Sequence, residues 1–285
     1  MQWQYLKAPE FPEAVKKSKG VCVIPMGAME KHGPHMPVGT DNIIAERTAL
    51  LAAELEPVVV FPTFGFGHVN GLQNFDGTIA LSNGLLLDYL SEICSEIARS
   101  GFKKILFLNA HGGNPPLITT LCNRAKESKK DYVIIGADSY MTTEETMLRE
   151  FYDNREHYPE ITDEDVALLE RYVKERTAWG HADLDEMMLV HDANPETVDV
   201  TLMKNESGES THKADHLREF GIYSAANLWF INYPNSFAGT HFPYLNPRLS
   251  AAYTKHRVEY IAKLYKAVKE DTVLLSENEK WNKSW

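Results

Sequence analysis

Four short, almost unbroken apolar runs punctuate the first half of the chain: Val21 to Met26, Val58 to Phe61, Lys104 to Asn109 and Tyr132 to Gly136. Between them lie longer stretches with apolar residues at helical spacing, Asn42 to Leu55, Leu85 to Arg99 and Pro116 to Ser128. A run of this length that does not alternate is what a strand covered on both faces requires, and parallel sheets are covered on both faces. Strand and helix in regular succession then give linked βαβ units. The pattern predicts an α/β fold, a three-layer α/β/α sandwich around a mostly parallel central sheet.

The second half reads differently. Residues 141–177 are rich in charge and aromatics and predict two helices joined at Pro159, an addition to the α/β unit that could serve as a lid or an oligomer contact. Lys204 to Lys213 reads as a polar surface loop with no packing signal. Asn246-Pro247 starts a long amphipathic helix that runs to about Glu270. No internal repeat and no second domain is visible, so residues 1–285 are expected to form one domain.

Composition narrows the function classes. A hydrophobic fraction of 44% over 285 residues is enough for a large core. A net charge of -11 argues against nucleic acid, and the absence of a Lys/Arg run argues against an anionic membrane surface. Cys22, Cys94 and Cys122 contain no CxxC pair and cannot all be bridged, which fits a reducing compartment. With neither a signal-like apolar region at the N-terminus nor an apolar stretch approaching about 20 residues, the expectation is a cytoplasmic protein that acts on a small molecule or a peptide.

The chemistry concentrates where the strands end. Glu30, His32, His35 and Asp41 follow the first run and lie within a dozen residues of one another, and carboxylate with imidazole is a ligand set that first-row divalent ions accept. Glu30 and His32, two apart, share one face of an extended segment. Asp41 also sits near the start of the predicted helix, where a carboxylate is favourable for structural reasons alone. Asn109-Ala110-His111-Gly112-Gly113-Asn114 places a histidine after the third run, with glycines that let a substrate or metal approach the backbone; an ordinary turn histidine is the alternative. A third segment, Trp179 to Met188, opens a helix whose early acidic residues the helix dipole favours regardless of chemistry.

Taken together, these segments resemble the creatininase (creatinine amidohydrolase) family. Its P-x-G-x-x-E-x-H-G-x-H-x-P signature is matched by Pro25, Gly27, Glu30, His32, Gly33, His35 and Pro37, its T-D by Thr40 and Asp41, and its N-x-H-G-G-N by Asn109, His111, Gly112, Gly113 and Asn114. Its H-A-G-x-x-E is matched by His181, Ala182 and Glu186, and Phe64 to Ile79 is similar to a family loop ending in G-T-I. The resemblance implies two divalent ions per subunit, zinc and/or manganese with iron in some relatives. Glu30 and His111 would hold one ion and His32 and Glu186 the other, with Asp41 bridging both. His35 becomes a supporting residue. His181 would carry the proton to the leaving nitrogen, Glu186 would act at the catalytic centre as well as on the metal, and Gly112, Gly113 and Asn114 would contact substrate.

The implied activity is hydrolysis of a non-peptidic or cyclic C–N amide bond by a metal-bridged hydroxide. Deformylase or peptidase chemistry is the alternative within the family, and an inactive metal-binding scaffold the alternative outside it. Two departures stand out. Creatininase itself has a glutamate where this chain has Gly113, so the second carboxylate is expected from Glu186 and the chain resembles the wider family more than creatininase proper. The family's H-A-G glycine is Asp183 here, with Met187 and Met188 beyond the glutamate, which is expected to alter the pocket wall. Family members are typically homohexamers, and the aromatic stretch between Trp229 and His241 could line either the active site or a subunit interface.

Overall fold

Alternate residues of the central strands point to two different cores, which is why the sequence shows continuous apolar runs. The computed structural model describes residues 1–69, 71–178, 180–220, 222 and 228–284. In β1 (Val21–Met26) and β3 (Lys104–Asn109) all twelve residues are buried. Cys22, Ile24 and Met26 of β1 and Ile105 and Phe107 of β3 pack on one side against Leu86, Leu90 and Cys94 of α3 (Asn83–Arg99) and Leu117 and Leu121 of α4 (Pro115–Glu127). Helix α1 (Phe11–Lys17) adds Ala14 to this layer. Val21, Val23, Leu106 and Leu108 point the other way, to Ala49 and Ala52 of α2 (Thr40–Leu55) and Ile261 and Tyr265 of α10 (Pro247–Glu270).

The sheet runs in the order β2-β1-β3-β4, with β2 at Val59–Val60 and β4 at Val133–Asp138, and every pairing is parallel. This is the expected three-layer architecture. Met26 pairs with Asn109 and Asn109 with Asp138, so three strands finish level along one edge. The chain leaves β1 toward β2 on one side and β3 toward β4 on the other, which opens a crevice beyond the ends of β1 and β3. Parallel sheets bind ligands at such switch points.

One difference from the expected elements has a plain cause, and two residues that suit a buried strand poorly are accommodated. The run Val58 to Phe61 yields only a two-residue strand, because Pro57 and Pro62 flank it and offer no N–H to a ladder. Pro25, inside β1, is tolerated because its carbonyl accepts from Phe64 N at 2.9 Å on the side where β2 has already ended; its missing N–H falls on that same side. Lys104 starts β3 fully buried, and its Nζ donates to the carbonyls of Val268 at 2.8 Å, Lys269 at 3.3 Å and Asp271, closing the C-terminus of α10.

The 141–177 segment folds as α5 (Glu144–Asp153) and α6 (Asp163–Glu175), with Pro159 between them and the hydroxyls of Thr143 and Thr162 capping the two N-termini. Met147, Phe151, Leu169 and Tyr172 share a core with Met187 and Leu189 of α7 (Leu184–Ala193) and Leu249 and Tyr253 of α10. The loop read as lacking packing, Lys204 to Lys213, is held down: Lys31 Nζ donates to both oxygens of Glu206 at 2.6 and 2.8 Å, and Gly208 is buried against the backbone of Gly239. Glycine lets these two backbones touch, a contact that no apolar pattern announces. Two short helices follow, α8 (Asp215–Arg218) and α9 (Leu228–Asn232), and after α10 comes α11 (Val273–Lys283), which was not expected. Trp179 lies outside the described residues, among which no helix is long and apolar enough to cross a membrane.

Phe107 is wholly buried between β3 and the α3/α4 layer. Phe107→Ala is expected to lower the unfolding free energy by about 3–5 kcal/mol in a urea titration, whereas Leu274→Ala on the exposed face of α11 should change it by less than about 1 kcal/mol.

Candidate metal centre

The crevice beyond β1 and β3 gathers side chains from four places in the chain. After β1, Gly27 lets the backbone pass directly under the start of α2: a Cβ there would lie 2.3 Å from Asn42 Oδ1 and 2.7 Å from the Asn42 amide nitrogen. The loop then delivers Glu30 and His32, helix α2 delivers Asp41 from its first turn, the turn after β3 delivers His111, and the first turn of α7 delivers Glu186. Helix α2 begins at Thr40, with Gly39 as its cap, so Asp41 lies inside the helix near the favourable end of its dipole rather than acting as the cap.

Asp41 is the centre of this geometry. Its Oδ1 lies 3.1 Å from His32 Nε2 and its Oδ2 lies 3.1 Å from His111 Nδ1. Glu30 Oε1 is 3.0 Å from His111 Nδ1, and Glu186 Oε2 is 3.7 Å from His32 Nε2. Ligand atoms of Glu30, Asp41 and His111 lie within 4.8 Å of one another, as do those of His32, Asp41 and Glu186, so the two groups share Asp41. A third group joins Glu30 and His32 to His181.

The hydrogen bonds on the far side of each ring show what this arrangement requires. His32 Nδ1 donates to Glu30 O at 3.1 Å, and His111 Nε2 donates to His68 O at 2.9 Å, since a carbonyl can only accept. The inward nitrogens of the neutral rings therefore present lone pairs to carboxylate oxygens, and Asp41 Oδ2 has no hydrogen-bond partner. Lone pairs facing lone pairs at about 3 Å need a cation between them, either a proton or a metal ion. Burial opposes protonation of His32, yet Asp41 and Glu186 outweigh it and lift the ring to about 10; Glu30 and Asp41 likewise lift His111 well above its usual value. Burial alone would raise Asp41, but His32 and His111 hold it well below the carboxylate range. A field that holds protons this firmly is one that divalent cations satisfy, and the donor set fits them.

His181 differs. Its Nε2 donates to Lys31 O at 3.0 Å, leaving an unprotonated Nδ1 3.8 Å from Glu30 Oε1, and burial together with the neighbouring His32 holds the ring down at about 4. The Ser236 hydroxyl lies 3.1 Å from the same Nε2 and donates to Lys31 O at 2.8 Å. Backbone hydrogen bonds in both directions between His181 and Ala238 fix the turn. Ala182 and Ser236, both non-glycine, take positive φ of 57° and 49°, a conformation that costs energy and is held here by the surrounding contacts. His35 takes the supporting place: its Nε2 donates to Ala182 O at 2.9 Å, away from the ligand cluster.

A cavity of about 670 Å³ opens onto this cluster. Gly112 and Gly113 line it, and Trp229 and Phe230 form an apolar wall, with the Trp229 ring set edge-on to His181 at 5.3 Å. The aromatic stretch thus divides, because Phe237 turns into the core beside His35. Asn114 is wholly buried and outside the cavity wall: it accepts from His68 N at 2.8 Å and donates to Gly27 O at 3.2 Å and Asn109 Oδ1 at 3.0 Å, tying three loops together. Asp183, Met187 and Met188, expected to reshape the pocket wall, do not line it, because α7 turns Asp185, Glu186 and Leu189 to the cavity and those three into the protein. The sequence reading also missed the His68 carbonyl, Ser236, Glu144 and Arg257. A backbone carbonyl and isolated residues in a loop or a long helix carry no spacing signal.

Gly113 has a steric reason. A Cβ at this position would lie 2.4 Å from His111 Nε2 and 2.5 Å from His68 O, so no side chain fits while His111 keeps its orientation.

Comparison with known proteins identifies the family and the fold. A sequence model for creatininase, described as creatinine amidohydrolase, matches residues 4–258. A mycofactocin precursor peptide peptidase of Mycobacterium tuberculosis is 33% identical over 119 residues, covering 38% of this chain and 47% of that protein. A creatinine amidohydrolase of Pseudomonas putida is 28% identical over 114 residues, covering 38% and 44%. The chain's match therefore spans about half the length of these curated relatives. A zinc–zinc form of a mutant creatininase, 17% identical, superposes with a TM-score of 0.71 over 95% of this chain and 98% of that one, a likeness of fold.

Gly113→Ala is expected to displace His111 and weaken zinc binding by about 10–100-fold in a competition titration with a chelator, with the far-ultraviolet circular dichroism unchanged. Unaltered zinc affinity would show that the contact between His111 and His68 does not set the ligand geometry.

Proposed function

Because the chain belongs to the creatininase family, we propose that it is a metal-dependent amidohydrolase that cleaves a non-peptidic or cyclic C–N amide bond. The observation that carries this reading is the shared carboxylate of Asp41, one oxygen 3.1 Å from His32 and the other 3.1 Å from His111. Two divalent ions, zinc and/or manganese with iron as a further candidate, would be held by Glu30, Asp41 and His111 and by His32, Asp41 and Glu186. Such ions supply Lewis acidity and lower the pKa of water.

The chain's own residues would do the rest. His181, neutral and with Nδ1 turned to the cluster, takes the proton from the attacking water and passes it to the leaving nitrogen. Ser236 and Lys31 O keep the other nitrogen protonated, so the accepting nitrogen is always Nδ1. Gly112, with open space where a side chain would stand, leaves room for the substrate carbonyl near His111, Gly113 makes room for the His111 ring itself, and Trp229 and Phe230 give that cavity an apolar wall. Asn114 supports the substrate turn from behind.

A second reading is a peptidase, favoured by the identity to the mycofactocin precursor peptide peptidase and by a cavity with room for more than a single small ring. Hydrolysis of short peptides in preference to cyclic amides and formamides would decide for it. The α5–α6 pair would wall the pocket, and exposed Leu85 and Tyr89 on α3 offer apolar surface for a cytoplasmic homohexamer, which a sedimentation measurement tests.

Metal-free protein titrated with zinc is expected to take up two equivalents and to gain about 2.7 kcal/mol of stability for each ion at a free concentration a hundred times its Kd. Asp41→Asn should lose tight uptake of both. Chelation should abolish hydrolysis across a panel of cyclic amides, formamides and short peptides. His181→Asn should lower kcat by about 10²–10⁴-fold with full zinc content; a zinc-loaded protein inert to the whole panel would leave a binding scaffold as the reading.

A further inference from the structure

The cavity extends past the ligand cluster to a charged wall that the proposed hydrolysis does not use. This wall is built where β4 hands over to α5, by the first turn of α7 and by the middle of α10, and it carries Ser139, Thr142, Glu144, Asp185 and Arg257. Glu144 is buried, with one oxygen 3.0 Å from Arg176 Nη1, and Arg176 is shared with Glu145. Arg257, also buried, donates through Nε to the Thr142 hydroxyl and through Nη2 to Thr142 O and the Tyr253 hydroxyl, at 3.0 and 3.1 Å. Asp185 meets that guanidinium only at 3.7 Å, beyond hydrogen-bond reach.

Glu144 is taken up by Arg176, whereas the Asp185 carboxylate, on the same cavity wall, has only the 3.7 Å approach to Arg257 and, among the described residues, no hydrogen-bond donor of its own. A buried charge without a partner is costly, so the wall favours a single positive charge arriving from the cavity. A second observation is independent of charge. Ser139 is wholly buried and lines the same cavity, and its hydroxyl has no hydrogen-bond partner. A buried hydroxyl left unpaired calls for a ligand group.

We propose that this wall is a recognition subsite for a protonated amino group, with Glu144 and Asp185 as its counter-charges and the Ser139 hydroxyl as a further acceptor, so that the preferred substrates are amides carrying an ammonium group. The three N–H donors of an ammonium match two carboxylates and a hydroxyl. An anionic group is disfavoured, because it would meet the carboxylates of Glu144 and Asp185, and Nε and Nη2 of Arg257 are already committed to Thr142 and Tyr253. This subsite rests on the hydrolase reading above for its role in catalysis, but its binding preference can be measured separately.

Zinc-loaded protein is titrated calorimetrically with 4-aminobutanamide and 6-aminohexanamide and with their neutral counterparts, 4-hydroxybutanamide and 6-hydroxyhexanamide, and hydrolysis is followed on the same compounds. At least one amino compound is expected to bind about tenfold or more tighter than its hydroxyl counterpart. Glu144→Gln and Asp185→Asn should each reduce that preference to about threefold or less at zinc contents equal to the parent's. If Glu144→Gln fails to fold because Arg176 loses its partner, Asp185→Asn decides. Equal binding of amino and hydroxyl compounds by the parent, or a preference retained in the variants, overturns the subsite. An ammonium preference without hydrolysis sustains the subsite and counts against the hydrolase; hydrolysis without the preference does the reverse.

Discussion

The placement of one buried carboxylate, Asp41, governs the arrangement of everything around it. Its two oxygens face His32 and His111, which arrive from the ends of different strands, so the sheet must bring β1 and β3 side by side and end them level. Helix α2 must begin directly over the loop after β1, and only glycine at position 27 leaves it that room. The start of the helix then lends its partial positive charge to a carboxylate that burial would otherwise neutralise. Register, glycine and helix start are therefore three consequences of one requirement: a negative charge held in the interior between two imidazoles.

Much of this was legible in the sequence because the relevant segments are local. The runs Val21 to Met26 and Lys104 to Asn109 coincide with β1 and β3, since burial on both faces leaves no polar position to blur the ends. The ligand-bearing segments sit directly beyond those ends, where an α/β sheet puts its ligands. What stayed hidden depends on partners distant in sequence. Lys104 reads as an interruption of an apolar run until the C-terminus of α10, more than 160 residues away, is brought over it. Helix α11 buries no residue completely and is held by Asn278 and Asn282 on the Lys130 carbonyl, a contact without any hydrophobic period. Asn114 reads as a substrate contact by its place in the motif, and only the fold turns it inward to join three loops.

The glycine at 113 and the glutamate at 186 form one adjustment. His111 is oriented by the His68 carbonyl so closely that position 113 has no space for a Cβ, and a carboxylate cannot reach the cluster from there without releasing that ring. Glu186 comes instead from the opposite side, on α7, and its Oε2 accepts from Ala182 N at 2.6 Å, which fixes the carboxylate against the turn that carries His181. The Glu186 carboxylate and the His181 imidazole are thus set by a single backbone turn, and any movement of that turn displaces both.

Asp183 connects that turn to the helices of the 141–177 segment. It replaces a glycine of the family motif, yet its φ of -105° is ordinary for any residue; the left-handed conformation belongs to its neighbour Ala182. Its buried carboxyl accepts from the Tyr172 hydroxyl of α6, and burial with nearby Glu144 and Asp185 pushes its pKa well up. Arg176, just after α6, pairs with Glu144 at the start of α5. The substitution of glycine by aspartate therefore leaves the cavity surface untouched. It fastens the turn bearing His181 and Glu186 to α6, and Arg176, just beyond α6, carries the connection on to Glu144, the residue that α5 contributes to the charged wall of the cavity.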